Sequence, residues 1–173
     1  EQRPATCRAF FHYLDSLDAS VEALYILGDF FEAWVGDDDD LPFHDTIRQA
    51  LRAKTAAGLP IFFMHGNRDF LVGQGFALQT GCHLITDPLV IQQGDTHYLL
   101  MHGDSLCLED TDYQAFRAQI RSPQMQAELL KKPLDERRAI ARQLRENSKM
   151  ASSNKSADIM DVTPAELTRI MAE

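Results

Sequence analysis

The chain has 173 residues, of which 45% are apolar, and a formal charge of −9 at neutral pH. This length and composition fit a single domain with a sizeable core. The acidic balance argues against a general nucleic-acid binder, because neutralising phosphates needs a basic surface, and we expect no nucleic-acid partner. The three cysteines have no CxxC spacing, which is typical of reduced thiols in a cytosolic protein. No apolar run approaches the length of a transmembrane helix.

The pattern at each end of the sequence is typical of a segment from the middle of a domain. Residues 1–17 form a predicted helix with no strand before it, and Phe11 and Leu14 belong to its apolar stripe. Near the other end, Thr163 and Pro164 open a helix that stops at the last residue. We therefore expect the 173 residues to be part of a longer protein, and to be inactive by themselves.

Three apolar runs each lead directly into polar residues. They are residues 24–27 before Gly28 and Asp29, residues 61–64 before His65, Gly66 and Asn67, and residues 98–101 before His102. The run at 61–64 has no polar alternation, which predicts a strand buried on both faces. Because ligands lie beyond the carboxyl ends of strands in open α/β sheets, we expect Asp29, Asn67 and His102 to meet at one sheet edge.

The segments between these strands predict the fold class. Helical patterns cover residues 43–57 and 70–79, and a Gln93-Gly94-Asp95 turn joins predicted strands at 89–92 and 97–101. Strands that alternate with helices and are followed by consecutive strands predict an α/β fold with a mostly parallel sheet and some antiparallel pairing.

The second half of the chain is predicted to be helical. Prolines at 123 and 133 break the helical pattern, which indicates a helical hairpin inserted above the sheet edge over residues 110–150. Five basic residues lie opposite an apolar face of its last helix: Arg137, Arg138, Arg142, Arg145 and Lys149. They could meet anionic lipid headgroups or a substrate phosphate, or form a solvated charged face, and the sequence leaves both open.

A run of four aspartates, Asp37 to Asp40, follows the first predicted strand. Such a run could form a metal site of its own or lie in a solvated loop. We favour the solvated loop, because a block of like charges is usually exposed to water.

The polar residues at the three strand ends have the donor types of a metal site. A carboxylate, an amide oxygen and an imidazole suit Mn²⁺, Mg²⁺, Zn²⁺ or iron, and the oxygen donors favour Mn²⁺. A bridging carboxylate such as Asp29 fits two ions about 3.5–4 Å apart, as in hydrolytic two-metal sites. The alternative for each residue taken singly is structural, since aspartate after glycine is a common turn residue.

The motifs around these residues resemble those of the calcineurin-like metallophosphoesterases. That superfamily uses the blocks DxH, GD, GNH[DE], GH and GHxH around two metal ions. The chain has the middle three, as Gly28-Asp29-x-x-Glu32, Gly66-Asn67-x-Asp69 and His102-Gly103. The first and last blocks are absent, and we expect them in segments outside the 173 residues. Arg68 stands where most of the superfamily has histidine.

A longer match is similar to the members of that superfamily that act on UDP-2,3-diacylglucosamine in lipid A synthesis. It runs from about Leu24 to Val162 and includes the segments around Trp34, Asp104 and Tyr113. The resemblance implies a calcineurin-like sandwich of mixed sheets flanked by helices, incomplete over these residues. Residues 1–173 would then be part of a single metallophosphoesterase domain, with residues 110–150 as its helical cap.

The resemblance also implies a role for each matching site residue. Asp29 would bridge two Mn²⁺ ions, and Asn67 and His102 would bind the second ion. Arg68 would contact the pyrophosphate and offset charge that builds up on the attacked phosphorus; the alternative is a surface arginine paired with Asp69. The implied substrate-binding positions are Asn67, Arg68, Asp110, Ser148, Ser152 and Lys155. Ser152 departs from the asparagine that some relatives have there.

The activity implied by the resemblance is hydrolysis of UDP-2,3-diacylglucosamine at its pyrophosphate, giving UMP and 2,3-diacylglucosamine 1-phosphate. The expected partners are this lipid and the cytoplasmic face of the inner membrane, with peripheral attachment. Lys131 and Lys132 argue against deep insertion in the bilayer. The alternatives are another calcineurin-like phosphoesterase acting on nucleotides, against which the helical insertion argues, and a non-catalytic metal-binding domain.

Overall fold

The structure, a computed structural model, describes residues 3–153, 155, 159 and 161–172, apart from the side chain of Ser152. In chain order the elements are α1 (Pro4–Ser16), β1 (Leu24–Ile26), α2 (Pro42–Ala56), β2 (Ile61–Met64), α3 (Gln74–Thr80), β3 (His83–Ile85), β4 (Leu89–Gln93), β5 (Thr96–Leu100), a 3₁₀ helix (Asp104–Leu106), α4 (Thr111–Ile120), α5 (Pro123–Leu130), α6 (Leu134–Ser153) and α7 (Pro164–Met171). The predicted α/β class, with mixed sheets and flanking helices, is confirmed. None of the described helices is both long and apolar enough to cross a membrane.

A parallel three-stranded sheet, in the order β1-β2-β3, lies at the centre of the structure. Its register pairs Phe62 of β2 with Tyr25 on one side and His83 on the other. Ile61 and Phe63 of β2 are both fully buried, as an uninterrupted apolar run predicts for a central strand. The expectation of a strand buried in a parallel sheet is therefore confirmed for β2.

The structure corrects the sequence prediction around α3. The sequence does not predict β3, because three residues after the turn at Gly81 are too few to show a periodicity. The helix predicted over residues 70–79 begins instead at Gln74, and residues 65–73 form a loop beyond β2. This loop carries two of the candidate site residues.

β4 and β5 form an antiparallel hairpin, as the turn at residues 93–95 predicts. Among the described residues β5 pairs with β4 alone, so His102 follows a strand of a different sheet from the strands before Asp29 and Asn67. The expectation of one shared sheet edge is wrong. An apolar run that ends in a polar residue indicates a strand, but it contains no information about which strand pairs with it.

The loop after β1 is part of the core. Phe31 and Trp34 are 3% and 2% exposed, and their rings pack against Phe76 of α3 at centroid distances of 5.9 and 5.3 Å. Phe76 also contacts Phe63 of β2. Aromatic pairs of this kind add about 0.5–1.5 kcal/mol each to the burial of their area. The backbone that carries Asp29 is therefore packed firmly against the sheet.

The acidic run binds α6, although only Asp39 of its four side chains is buried. Asp38 pairs with Arg137, and Asp39 and Asp40 both pair with Arg138. Asp39 is only 3% exposed. The predicted solvated loop is therefore wrong for Asp39 alone, because the side chains of Asp38 and Asp40 are 64% and 78% exposed. Arg137 and Arg138 pair with these aspartates, a contact that neither interpretation of the basic stretch included. The local charge pattern could not show this, because the pairs join residues 98 or 99 positions apart.

Gly36 allows this close approach between the acidic run and α6. Its φ is +135°, and a Cβ there would lie 2.2 Å from Nη1 of Arg137. The same nitrogen donates to the carbonyl of Val35, and the Arg137 side chain is 4% exposed. A hydrogen bond from Arg137 holds the pKa of Asp38 below its ordinary value.

Three helices, α4, α5 and α6, occupy the region predicted as a helical hairpin. Asp110 caps α4 by accepting from the backbone N–H of Tyr113 at 3.1 Å, and Ser122 caps α5 by accepting from that of Met125. We call these three helices the cap. The first helix of the predicted hairpin is divided into α4 and α5. The division lies at Ser122 and Pro123, which start a new helix because proline is favoured in a first turn.

Asp104 joins α4 to the end of the β-hairpin. Its Oδ2 accepts from Tyr113 Oη at 2.8 Å and from Arg121 Nη2 at 2.9 Å, and lies 3.0 Å from Arg117 Nε. Its side chain is 6% exposed. Burial alone would raise the pKa of Asp104, but the two guanidiniums and the phenol outweigh burial and lower this pKa.

We expect Asp104→Asn to lower the free energy of unfolding by about 2–3 kcal/mol, the scale of losing hydrogen bonds to a charged group. Urea denaturation at neutral pH measures the loss. Asp95→Asn changes an exposed carboxylate in the β4–β5 turn and is the control, with an expected effect within about 0.5 kcal/mol.

The Asp104→Asn difference should also depend on pH. Because folding lowers the pKa of Asp104 from 3.8, its stabilisation is complete above this ordinary value and is lost as the pH falls through the folded value. The difference from the parent should therefore shrink below about pH 4. A difference that stays constant into acid would show that the charge of Asp104 does not matter.

Candidate active site

Asp29 lies where the loop after β1 meets the loop after β2. It has a left-handed backbone with φ +51°, next to Gly28 at φ +86°. A Cβ on Gly28 would lie 2.5 Å from the backbone nitrogen of Gly66, and one on Gly66 would lie 2.2 Å from that of Asp29. Contact between the loops therefore requires both glycines. Backbone strain at a non-glycine residue costs about 1–3 kcal/mol and clusters at functional sites, which favours a functional Asp29.

His102 reaches the same place from the β-hairpin. Its Nδ1 donates to the carbonyl of Leu27 at 2.8 Å, so the proton belongs on Nδ1 and the lone pair of Nε2 is available to a metal. Nε2 lies 3.7 Å from Oδ1 of Asp29. The backbone N–H of His102 donates to Asp87 at 3.3 Å. The structure thus brings two of the three predicted metal ligands together.

Asn67, the third predicted ligand, is exposed in the loop after β2. In the part of the chain that the structure describes, no three His, Cys, Asp or Glu side chains form a metal-binding group. The candidate set consists of one carboxylate, one imidazole and one amide, which are donor types that Mn²⁺ accepts. The residues present therefore fit a divalent metal.

Asp69 is fully buried and does not pair with Arg68. Its Oδ1 accepts from the backbone N–H of Gly66 at 2.7 Å, and its Oδ2 accepts from that of Phe30 at 2.8 Å. Burial raises the pKa of Asp69, and these N–H donors oppose the rise. The predicted alternative of an Arg68–Asp69 surface pair is therefore wrong.

Arg68 directs its guanidinium at two other carboxylates. Nε lies 3.5 Å from Oδ2 of Asp29, and Nη1 lies 3.2 Å from Oε2 of Glu32. The Arg68 side chain is 42% exposed, so a ligand can reach it. Its planar fork can donate to two phosphate oxygens at once. The structure therefore places an anion-binding group beside the candidate metal ligands.

A cavity of about 400 Å³ lies between this loop region and the cap. Its apolar lining includes Leu71, Phe116, Leu129, Ile140 and Leu144. Its polar lining includes five of the six predicted substrate-binding residues, namely Asn67, Arg68, Asp110, Ser148 and Lys155. A chamber with apolar walls and a few convergent polar groups is typical of a small-molecule site, and here it suits an amphiphilic ligand.

Three of the predicted substrate-binding residues, Lys155, Ser148 and Ser152, lie in or after the last helix of the cap. Lys155 forms an ion pair with Asp110, and together with the backbone N–H of Tyr113 it lowers the pKa of Asp110 against the effect of burial. Ser148 lies on α6, in the wall of the cavity. The side chain of Ser152 lies outside the part of the chain that the structure describes.

Sequence reasoning missed two residues that line the cavity, Glu32 and Tyr113, and singled out Arg145 only as a member of the basic stretch. Glu32 and Tyr113 lie within the segments that carry the resemblance, but their residue types alone suggest no role. Arg145 lies in the basic stretch, for which a substrate phosphate was one of the expected contacts. It lines the cavity and pairs with Glu32, so that contact stays a prediction for it. Only the folded structure, in which the cap contacts the loop after β1, shows that these residues line the cavity.

No protein-family model matches the chain. The UDP-2,3-diacylglucosamine hydrolase of Cellvibrio japonicus is 50% identical over 171 residues, which are 99% of this chain and 71% of that protein. The protein of the same name from Stutzerimonas stutzeri is 47% identical over 173 residues, covering 100% of this chain and 72% of that protein. The one from Enterobacter sp. is 45% identical over 170 residues, covering 98% and 71%.

We expect Gly28→Ala to destabilise the protein far more than Gly58→Ala. Both glycines have positive φ, but an added Cβ at Gly58 meets nothing within 4 Å, whereas at Gly28 it overlaps the loop after β2. Gly58→Ala should cost about 1–2 kcal/mol from backbone strain alone. Gly28→Ala should cost about 1–3 kcal/mol more from the overlap. Urea denaturation measures both, and equal costs would contradict the contact between the two loops.

Proposed function

Because the chain belongs to the UDP-2,3-diacylglucosamine hydrolase family, we propose that the protein hydrolyses UDP-2,3-diacylglucosamine at its pyrophosphate. The products are UMP and 2,3-diacylglucosamine 1-phosphate, and the reaction belongs to lipid A synthesis. The observation that supports this proposal best is the cavity itself, in which anion-binding groups and apolar walls line one space. A substrate with a pyrophosphate and acyl chains needs both.

The apolar part of the cavity separates this substrate from the alternatives. Phe116 of α4, Leu129 of α5 and Ile140 of α6 all contribute to one lining. A phosphoesterase for soluble nucleotides has no need for such a chamber, because burying apolar wall area stabilises only an apolar ligand. A non-catalytic domain would not need an accessible guanidinium beside candidate metal ligands. The hydrolase is therefore the better proposal.

We propose that Asp29, Asn67 and His102 would hold two Mn²⁺ ions beyond β1 and β2, with Asp29 as the ligand that the two ions would share. When bound, the ions supply Lewis-acid activation of water and of phosphate oxygens. The chain's own contribution is to orient the ligands. The carbonyl of Leu27 fixes the His102 ring, and the backbone N–H of Arg68 donates to Oδ1 of Asp29 at 2.9 Å.

Arg68 is the proposed catalytic residue. Its guanidinium lines the cavity, where it can donate to the pyrophosphate and stabilise charge that develops during phosphoryl transfer. The other proposed substrate contacts are Asn67, Asp110, Ser148, Ser152 and Lys155. The cap excludes water from the acyl chains, because its three helices supply most of the apolar wall.

We propose peripheral attachment to the cytoplasmic face of the inner membrane, where an acylated substrate would be available. Three members of the basic stretch form ion pairs within the protein and Lys149 lines the cavity, which leaves Arg142 among the described residues of the stretch. A basic side chain near an anionic membrane contributes about 1 kcal/mol. One such charge favours weak, reversible attachment over insertion.

Hydrolysis by the full-length protein tests the function directly. We expect release of UMP from UDP-2,3-diacylglucosamine with Mn²⁺, loss of activity with a chelator, and recovery when Mn²⁺ is restored. UDP-N-acetylglucosamine has the same pyrophosphate without long acyl chains, so its kcat/KM should be at least about 100-fold lower. Equal use of both substrates, or faster hydrolysis of a dinucleotide polyphosphate, would contradict the proposal.

We expect Arg68→Ala to lower kcat by about 10²–10³, the scale of losing one donor aimed at developing charge. Metal content per chain should stay near the parental value, because arginine is not a ligand. Arg68→Lys should recover only part of kcat, since an ammonium lacks the planar fork. Arg52→Ala, which removes an exposed arginine of α2, is the control and should leave kcat unchanged. Near-parental turnover of Arg68→Ala with Mn²⁺ bound would exclude the catalytic role.

A further inference from the structure

Three arginines from three parts of the chain converge on Glu32. Arg3, before α1, lies 3.2 Å from Oε1, while Arg68 and Arg145 both approach Oε2, at 3.2 and 2.5 Å. Arg145 also donates to the backbone carbonyl of Glu32. One carboxylate oxygen is therefore shared by the candidate catalytic arginine and by an arginine of the cap.

The shared oxygen makes the position of Arg68 depend on Glu32. Two guanidiniums that approach one point repel each other unless a negative charge lies between them. The other carboxylate near Arg68 belongs to Asp29, at 3.5 Å, and the proposed function assigns Asp29 to the metal ions. Glu32 is thus the partner that can hold Arg68 while Asp29 binds metal.

Glu32 also connects this arginine to the cap. Arg145 lies on α6, the same helix that pairs with the acidic run through Arg137 and Arg138. The Arg145 side chain is 25% exposed and that of Glu32 is 31% exposed, so water screens the pair only in part. The Glu32 carboxylate therefore contacts both the arginine that holds α6 over the cavity and the guanidinium of Arg68.

We propose that Glu32 is a positioning residue, which holds the Arg68 guanidinium toward the cavity and couples its direction to the seating of α6 through Arg145. This inference rests on the proposed function, because it assigns Glu32 a task in the same reaction. Glu32 does not contact the reacting atoms; it acts through Arg68. It differs from a purely structural ion pair in one measurable respect, since its effect on turnover needs Arg68 to be present.

A double-mutant cycle in the full-length protein tests the proposal. Glu32→Gln should lower kcat by about 10–100-fold, the scale of misplacing a catalytic group by about an ångström. In the Arg68→Ala background the same change should lower kcat by less than about 2-fold, because there is no guanidinium left to position. KM should change less than kcat in both backgrounds. The matched control is Asp45→Asn, which removes an exposed carboxylate paired with Arg48 on α2 and should leave kcat unchanged.

Glu32→Asp keeps the charge and so guards against a variant that fails to fold. Its carboxylate is one methylene shorter, so kcat should fall less than in Glu32→Gln, and that smaller loss should also vanish in the Arg68→Ala background. Urea denaturation and metal content per chain are measured on every variant. If either Glu32 change lowers kcat by the same factor with and without Arg68, or leaves kcat unchanged, Glu32 is not a positioning residue.

The cycle is measured on two substrates, so that failure of the inference and failure of the proposed function can be separated. UDP-2,3-diacylglucosamine reports on the proposed function, and bis(p-nitrophenyl) phosphate reports on phosphoester hydrolysis without the lipid. Coupling between Glu32 and Arg68 on the artificial substrate, with no turnover of the lipid, would overturn the proposed substrate and support the positioning role. Turnover of the lipid without coupling between Glu32 and Arg68 would support the proposed substrate and overturn the positioning role. Turnover of neither substrate would overturn the proposed function and the positioning role together.

Discussion

The buried carboxylate of Asp69 holds together the two loops on which the candidate site depends. Its oxygens accept three backbone N–H groups, those of Phe30, Phe31 and Gly66. A buried donor left unpaired costs about 1–3 kcal/mol, so both loops depend on this side chain for their conformation. Asp29 directly precedes one of these donors and Asn67 directly follows another. The spacing between two candidate metal ligands is therefore determined by a residue that contacts neither ligand side chain in the described structure.

The cap is attached in two physically different ways. Ion pairs at its edge join Arg137 and Arg138 to the acidic run, and apolar contacts inside join Leu129 and Ile140 to the core. Partly solvated ion pairs contribute little net free energy, whereas apolar burial contributes about 25 cal/mol per Å². The ion pairs therefore determine where α6 lies more than how strongly it binds. For a cavity between loop and cap, this placement decides which side chains face the ligand.

Sequence reasoning succeeded where the information is local and failed where it depends on distant partners. A long apolar run predicts β2, and the strand ends lead to Asp29 and His102, which the structure brings to within 3.7 Å of each other. The three residues of β3 are too short for a pattern. The acidic run and the basic stretch each look solvated when considered alone, because neither segment shows that the opposite charge lies about a hundred positions away. The position of Arg68 is invisible for the same reason, since its partner Glu32 is 36 positions away.

Net charge and local charge lead to different conclusions about the ligand. The chain carries a formal charge of −9, yet the described lining of the cavity contains five basic and three acidic side chains. Low-dielectric walls concentrate the field of such a cluster, so the sign inside a cleft can oppose the sign of the whole protein. The acidic surface argues against long polyanions, which need a broad basic face. A single pyrophosphate needs only the cleft, and a net positive cleft within an acidic protein selects for a small anion that can enter it.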